Sequence, residues 1–274
     1  MSGLPTTRRQ WLQGALAVAP SGWLIHAASS AAGPRPEDPF RLGLQSYSLR
    51  AFSFREALAK TAALGLSYWE SFSAHIPPDP ARAAEHRRIA QDAGITVNGF
   101  GVVAFTADHD ANRRLFDFGK ALGIAYFSAD PSRDAFDSLD KLVEEYDIPV
   151  GIHNHGPGHQ YASIASIRDA IRDHDRRIGC CIDTGHFLRA QEDPVEAAKT
   201  FEGRIYGVHL KDVKDGKVFV VLGQGDLDTR SLLAELARQK YGFCLALEYE
   251  ENPEDPMADL EACLTAYRQA LPAQ

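Results

Sequence analysis

One pattern recurs along this chain from Arg41 onward: an apolar stretch of five to seven residues, polar residues at its end, an amphipathic segment, a glycine, and the next apolar stretch. The stretches begin near Leu42, Leu66, Ile95, Ile124, Pro149, Ile178, Ile205 and Phe243, at spacings of 24 to 38 residues. Short apolar runs alternating with segments of 3.6-residue period read as βα units, whose helices cover the faces of a parallel sheet. The joints agree with this reading. Gly65, Gly94, Gly123 and Gly242 stand where a helix ends and a strand begins, a place for a left-handed C-cap residue. Ser53-Phe54-Arg55-Glu56 has the spacing of a capping box, and Asp193-Pro194 puts proline at a first helical position. Eight such units in one domain predict a single (β/α)8 TIM barrel over residues 41–274, with any active site at the C-terminal strand ends. A doubly wound open sheet would begin with a glycine-rich phosphate turn, whereas the first strand here runs Leu44-Gln45-Ser46-Tyr47-Ser48-Leu49.

The later strand ends carry the chemistry. The fifth stretch ends Ile152-His153-Asn154-His155, the sixth Ile182-Asp183-Thr184-Gly185-His186, the seventh Val208-His209-Leu210-Lys211-Asp212 and the eighth Leu247-Glu248-Tyr249-Glu250. Successive strand residues face alternately into a barrel and out toward its helices. Ile152, Ile182, Val208 and Leu247 are bulky and apolar, as helix-facing positions require, so His153, Asp183, His209 and Glu248 point inward. Two residues earlier on the inward face lie Gly151, Cys181, Gly207 and Ala246, all small, which leaves room beneath for a substrate or a tightly drawn metal site. Burying two imidazoles and two carboxylates together is costly unless a cation neutralises them. Mixed nitrogen and oxygen donors suit Mn²⁺, Zn²⁺, Co²⁺ or Fe²⁺ better than Ca²⁺. The candidate metal ligands are therefore His153, Asp183, His209 and Glu248, with His155 the alternative donor on the fifth strand.

Residues 1–40 read differently. Arg8-Arg9 precedes Trp11-Leu12, an apolar run from Gly14 to Ile25, the small residues Ala27 to Ala32 and a proline-rich stretch. This is the layout of an export signal of twin-arginine type over residues 1–32, with a tether over 33–40. It predicts a bacterial protein exported folded to the periplasm or beyond, with no stable membrane span, since the apolar run is too short for one. The formal net charge of −8 argues against a nucleic-acid partner. Cys180, Cys181, Cys244 and Cys263 show no paired spacing, and no obligatory disulfide is expected.

Taken together, His153-Asn154-His155, Asp183-Thr184-Gly185-His186, His209-Leu210-Lys211-Asp212, Gly223-Gln224-Gly225-Asp226 and Glu248-Tyr249-Glu250 resemble the xylose-isomerase-like TIM-barrel superfamily. That group includes sugar phosphate isomerases and epimerases, inosose dehydratases and repair endonucleases. The resemblance implies a divalent metal held by an acid on strand six, a histidine on seven and a glutamate on eight, which Asp183, His209 and Glu248 match. On strand five the relatives often carry glutamate where this chain has His153, which weakens the case for symmetrical two-glutamate epimerase chemistry. It further implies a small-molecule sugar or keto-sugar substrate and a possible homodimer. The expected reaction is isomerisation or epimerisation by proton abstraction next to a carbonyl through an enediolate, with elimination from a 3-keto-glycoside or inosose as an alternative. A non-catalytic sugar-binding barrel is the reading from another class. Within this frame Glu248 is the expected base, His155 its partner acid, and Lys211 holds a ligand oxygen or supplies a proton. Glu70, His186 and Glu250 are expected substrate contacts.

Overall fold

The computed structural model of the protein describes residues 38–272. The expected signal segment, residues 1–32, and the tether as far as residue 37 lie outside the described residues. The strands are β1 (Arg41–Gln45), β2 (Tyr68–Ser71), β3 (Thr96–Val103), β4 (Tyr126–Ala129), β5 (Val150–His153), β6 (Ile178–Asp183) and β7 (Ile205–Leu210), then a hairpin of β8 (Asp212–Lys214) and β9 (Val218–Val220), and finally β10 (Cys244–Leu247). Apart from the hairpin, each begins within two residues of its expected position. The helices are α1 (Phe54–Ala63), α2 (Pro80–Asp92), α3 (His109–Leu122), α4 (Phe136–Tyr146), α5 (Ile164–Ile171), α6 (Thr184–Arg189), α7 (Pro194–Thr200), α8 (Thr229–Arg238) and α9 (Met257–Ala270). Eight parallel strands close in the order β1-β10-β7-β6-β5-β4-β3-β2. The circuit puts β5, β6, β7 and β10 side by side, so the donor-bearing tips share one half of the rim. None of the described helices is long and apolar enough to cross a membrane.

Strand parity works as expected on the helix side. Ile152, Ile182, Val208 and Leu247 are buried between sheet and helices, and in the same core Phe100 packs edge-on against Phe118 and Phe127 while Phe116 lies tilted against Phe127. Inside the barrel the small residues serve a different purpose from the one expected. The ring of Tyr126 fills the space beneath the strand tips: a Cβ on Gly99 or Gly207 would stand 2.4 and 2.9 Å from its atoms. Gly151 similarly lets β5 pass close to Cys181. The floor is therefore solid packing with Tyr126 at its centre, and any ligand must sit above it.

The helix signals are largely realised. Ser53 N–H donates to the Glu56 carboxylate at 2.9 Å, completing one arm of the capping box, and Asp193 caps α7 ahead of Pro194. Gly65, Gly94 and Gly123 take positive φ as predicted, whereas beyond α8 the left-handed residue is Lys240 rather than Gly242. All four cysteines are buried and free.

Candidate metal centre

At the tips of β5, β6 and β7, His153 Nε2, Asp183 Oδ2 and His209 Nδ1 converge. The separations are 3.1 Å between the imidazoles, 3.4 Å from His153 to Asp183 and 3.8 Å from His209 to Asp183. Glu248 Oε2 approaches the same nitrogen of His209 at 3.2 Å from the neighbouring strand. Donors around a tetrahedral ion at bond lengths of about 2.0–2.2 Å stand roughly 3.3–3.6 Å apart, so the spacing suits a small divalent cation. The side chains are almost inaccessible, at 4% for His153, 0% for Asp183 and 1% for His209.

Each donor is held by what surrounds it. Asn154, the middle residue of the strand-five motif, accepts the Asp183 N–H at 2.7 Å and donates to the Asp183 carbonyl at 2.8 Å, so its amide locks the tip of β6 to that of β5. Asp183 Oδ1 accepts the His186 N–H at 2.7 Å as the N-cap of α6, which turns Oδ2 toward the other donors. Thr184 Oγ accepts the Lys211 N–H at 2.8 Å and donates to the His209 and Lys211 carbonyls at the end of β7, tying β6 to β7. These neutral residues carry the geometry, although only the charged ones were singled out from sequence.

Glu70 lies elsewhere than expected. It is fully buried under the site and does not line the cavity; instead it accepts His209 Nε2–H at 2.8 Å, Gln45 Nε2–H at 2.8 Å, and the hydroxyls of Tyr126 and Ser128. A carboxylate on Nε2 would fix the tautomer of a metal-bound His209 and leave Nδ1 as the lone-pair donor, the arrangement that commonly backs a metal-bound histidine. Burial pushes the Glu70 carboxyl upward, but His209, Ser128 and Tyr126 more than offset this and keep it ionised. Changing Glu70→Gln is expected to weaken metal binding by about 10- to 100-fold, measured by calorimetry, because the His209 tautomer is no longer enforced.

The electrostatics suit a cation. Asp183 Oδ2 and Glu248 Oε2 are buried and accept no hydrogen bond, while the Lys211 ammonium stands 3.0 and 3.1 Å from them at angles that complete none. Lys211 also donates to Glu250. Burial raises the Glu248 carboxyl, yet Lys211 and then His209 pull it down to about 2. Burial likewise opposes ionisation of Asp183, but Lys211 and the surrounding imidazoles hold it well below the ordinary carboxylate range. Orphaned carboxylate oxygens beside an orientated imidazole are a donor set that a divalent metal satisfies.

A second group, Asp130, His155 and His159, stands at the rim. The Tyr161 N–H donates to His159 Nδ1 at 3.2 Å, which leaves the ring proton on Nε2 facing the Asp130 carboxylate at 3.2 Å. With its proton, that nitrogen has no lone pair to give a metal. His155 sits between the two groups, its ring centroid 4.7 Å from His153 and 4.3 Å from His159. The structure thus places His153 among the donors and His155 outside them.

The site opens into a cavity of about 310 Å³ lined by His153, His155, His186, His209, Lys211, Glu248 and Glu250 on one side. Gln45, Tyr47, Phe72, Gly101 and Val102, from the tips of β1 to β3, line the other. Burial lowers His153 to about 4, and burial with the charges of His159 and His186 lowers His155 to about 4. Both folded values lie below the ordinary 6.5, so these histidines contribute stability that is complete above about pH 6.5 and lost as pH falls toward 4. Thermal melts in chelator across that range are expected to show the decline, with a shallower slope in His155→Asn.

Barrel and donor ring define the class, an eight-stranded TIM barrel with a candidate metal centre at its strand tips. The chain belongs to the xylose isomerase-like TIM barrel family, whose sequence model matches residues 58–267. Among curated relatives, inosose dehydratase of Clostridium tetani is 29% identical over 134 residues, 42% of this chain and 45% of the relative. The chain thus matches less than half the length of that relative. Among solved structures, 3-keto-D-glucoside 4-epimerase from E. coli superposes with a TM-score of 0.66 at 16% identity, covering 84% of this chain and 99% of the other. The IOLI protein with a bound zinc atom superposes with a TM-score of 0.64 at 17% identity, covering 84% and 95%.

Proposed function

We propose that this protein is a divalent-metal-dependent enzyme that removes a proton beside the carbonyl of a keto sugar and completes the reaction from one face, by elimination. The observation that carries this reading is the two-sided cavity: the imidazoles, carboxylates and ammonium line the β5 to β10 half, and the facing wall is Tyr47, Phe72 and Val102 with the Gln45 amide. Epimerisation at one carbon needs proton carriers on opposite faces. Elimination, or a shift along one face, needs them on one face only.

His153, Asp183, His209 and Glu248 would hold the metal, which supplies Lewis acidity toward a carbonyl oxygen and a neighbouring hydroxyl. Glu248, the base expected from sequence, is held ionised near 2 by Lys211 and serves better as a ligand. His155 takes the role of base. Burial leaves it a neutral imidazole at pH 7, and its Nε2 has no hydrogen-bond partner, so that nitrogen is free to take the proton from carbon. The imidazolium so formed, 3.8 Å from the Asp130 carboxylate, returns that proton to the departing oxygen as the enolate electrons break the carbon–oxygen bond. His186, half-buried beside His155, and Glu250, paired with Lys211, are placed to hold substrate hydroxyls. The similarity to an inosose dehydratase supports elimination, and the zinc-bearing structural neighbour supports the metal.

Turnover of keto sugars in D2O tests the reading. We expect the metal-loaded enzyme to consume a 3-keto-glucoside or an inosose with release of the leaving group and loss of the neighbouring C–H signal, and His155→Asn to slow this by at least about 100-fold. A deuterated product inverted at the labelled carbon, or full activity in His155→Asn, contradicts it.

A further inference from the structure

The apolar half of the cavity has a chemical preference of its own. Tyr47 and Val102 are two of the three large hydrophobic side chains exposed among the described residues, at 36% and 40%, and both stand at this mouth. Phe72 packs edge-on against Tyr47 at a centroid distance of 5.4 Å, and the Arg50 guanidinium stands over the Tyr47 ring at 4.6 Å. Arg50 is committed to the Tyr47 and Glu250 carbonyls, so it braces the wall and leaves the phenol ring in place at the rim. A monomer exposes large apolar groups together chiefly where something apolar docks.

Charge narrows the ligand further. Lys211 is the one lysine or arginine lining the cavity among the described residues, and three carboxylates, Asp183, Glu248 and Glu250, already stand around it. Among the described residues that line the cavity, no other lysine or arginine offers a cation to a phosphate. The cavity, about 310 Å³, is at the small end for a ligand site, so a sugar ring occupying the polar half leaves any substituent lying against the rim.

We infer that the substrate is an uncharged glycoside whose apolar aglycone lies on Tyr47, Phe72 and Val102 while its sugar ring meets the polar half. This rests on the reading of the cavity as a sugar site and adds what the sugar carries. It makes Tyr47 and Val102 specificity-determining residues that act on binding of the aglycone, away from the proton transfers.

The test uses the full chain loaded with Zn²⁺ and three ligands without a ketone, so that binding is read apart from turnover: methyl β-D-glucopyranoside, phenyl β-D-glucopyranoside and glucose 6-phosphate. By calorimetry, the phenyl glucoside is expected to bind about tenfold more tightly than the methyl glucoside, as partial burial of a phenyl ring gives. Glucose 6-phosphate is expected to bind more weakly than either. Tyr47→Ala and Val102→Ser, both at exposed positions, should each cut the phenyl advantage to about threefold or less, weakening the phenyl glucoside more than the methyl glucoside. Equal affinity for the two glucosides overturns the inference, as do variants that weaken both alike. Tighter binding of the phosphate also overturns it. If none of the three binds, the sugar-site reading fails as well, an outcome separate from equal binding.

Discussion

Asp183→Asn is expected to lower divalent-metal affinity by at least about 100-fold and to take turnover with it, while the barrel stays folded. The asparagine oxygen can still accept the His186 N–H that Asp183 Oδ1 accepts at 2.7 Å, so the cap of α6 survives. What disappears is the Oδ2 charge, which lies 3.4 Å from His153 Nε2 and 3.8 Å from His209 Nδ1. Metal content after dialysis, with a melt in chelator as the folding control, separates the two effects. Retention of one equivalent of metal by Asp183→Asn would place the centre elsewhere.

Lys211→Met is expected to act in opposite directions on stability and on metal affinity. In chelator it leaves Asp183 and Glu248 without their cationic neighbour at nearly complete burial, a loss of about 3 kcal/mol on the scale of a broken buried ion pair. Added metal should restore much of that loss by binding only the folded chain. With the ammonium gone from the edge of the donor set, the metal no longer meets a fixed positive charge, and its affinity should rise by at least about tenfold. Denaturant melts with and without Zn²⁺, together with calorimetry, give both quantities. A chelated variant as stable as the wild type, or one that binds metal more weakly, would mean that Lys211 positions the carboxylates and does little to neutralise them.

Much of this architecture was legible in the chain because it is written in strong, local signals. Eight apolar runs, glycines such as Gly65 and Gly123, and the caps at Ser53 and Asp193 state the barrel locally, and inward parity at His153, Asp183, His209 and Glu248 follows from the apolar residue before each. The residues that were hidden act over long sequence distances. Glu70 lies 139 positions from His209, and nothing near it in sequence shows that its partner is a histidine rather than a substrate. Asn154 and Thr184 are neutral, so they carry no charge that demands a counter-charge, and nothing near them in sequence names their hydrogen-bond partners, yet their side chains set the spacing between strand tips. Nothing around Tyr126 in sequence marks it as the residue that occupies the interior Gly99 and Gly207 vacate. The β8–β9 hairpin was missed because three-residue strands carry almost no periodicity. Its fold depends on Asp212, whose carboxylate accepts the N–H groups of Val213, Gly223, Gly225 and Leu227, an anchoring that the Gly223-Gln224-Gly225 turn alone does not reveal.

The central claim is that four side chains from β5, β6, β7 and the end of β10 hold one divalent cation. Titrating the chelated full chain with Zn²⁺ in a calorimeter, alongside Asp183→Asn and His209→Asn, tests it most directly. The expected result is one equivalent bound by the wild type with a rise in melting temperature, and a loss of that heat in both variants. Binding that survives both substitutions, or no binding by the wild type, would contradict it.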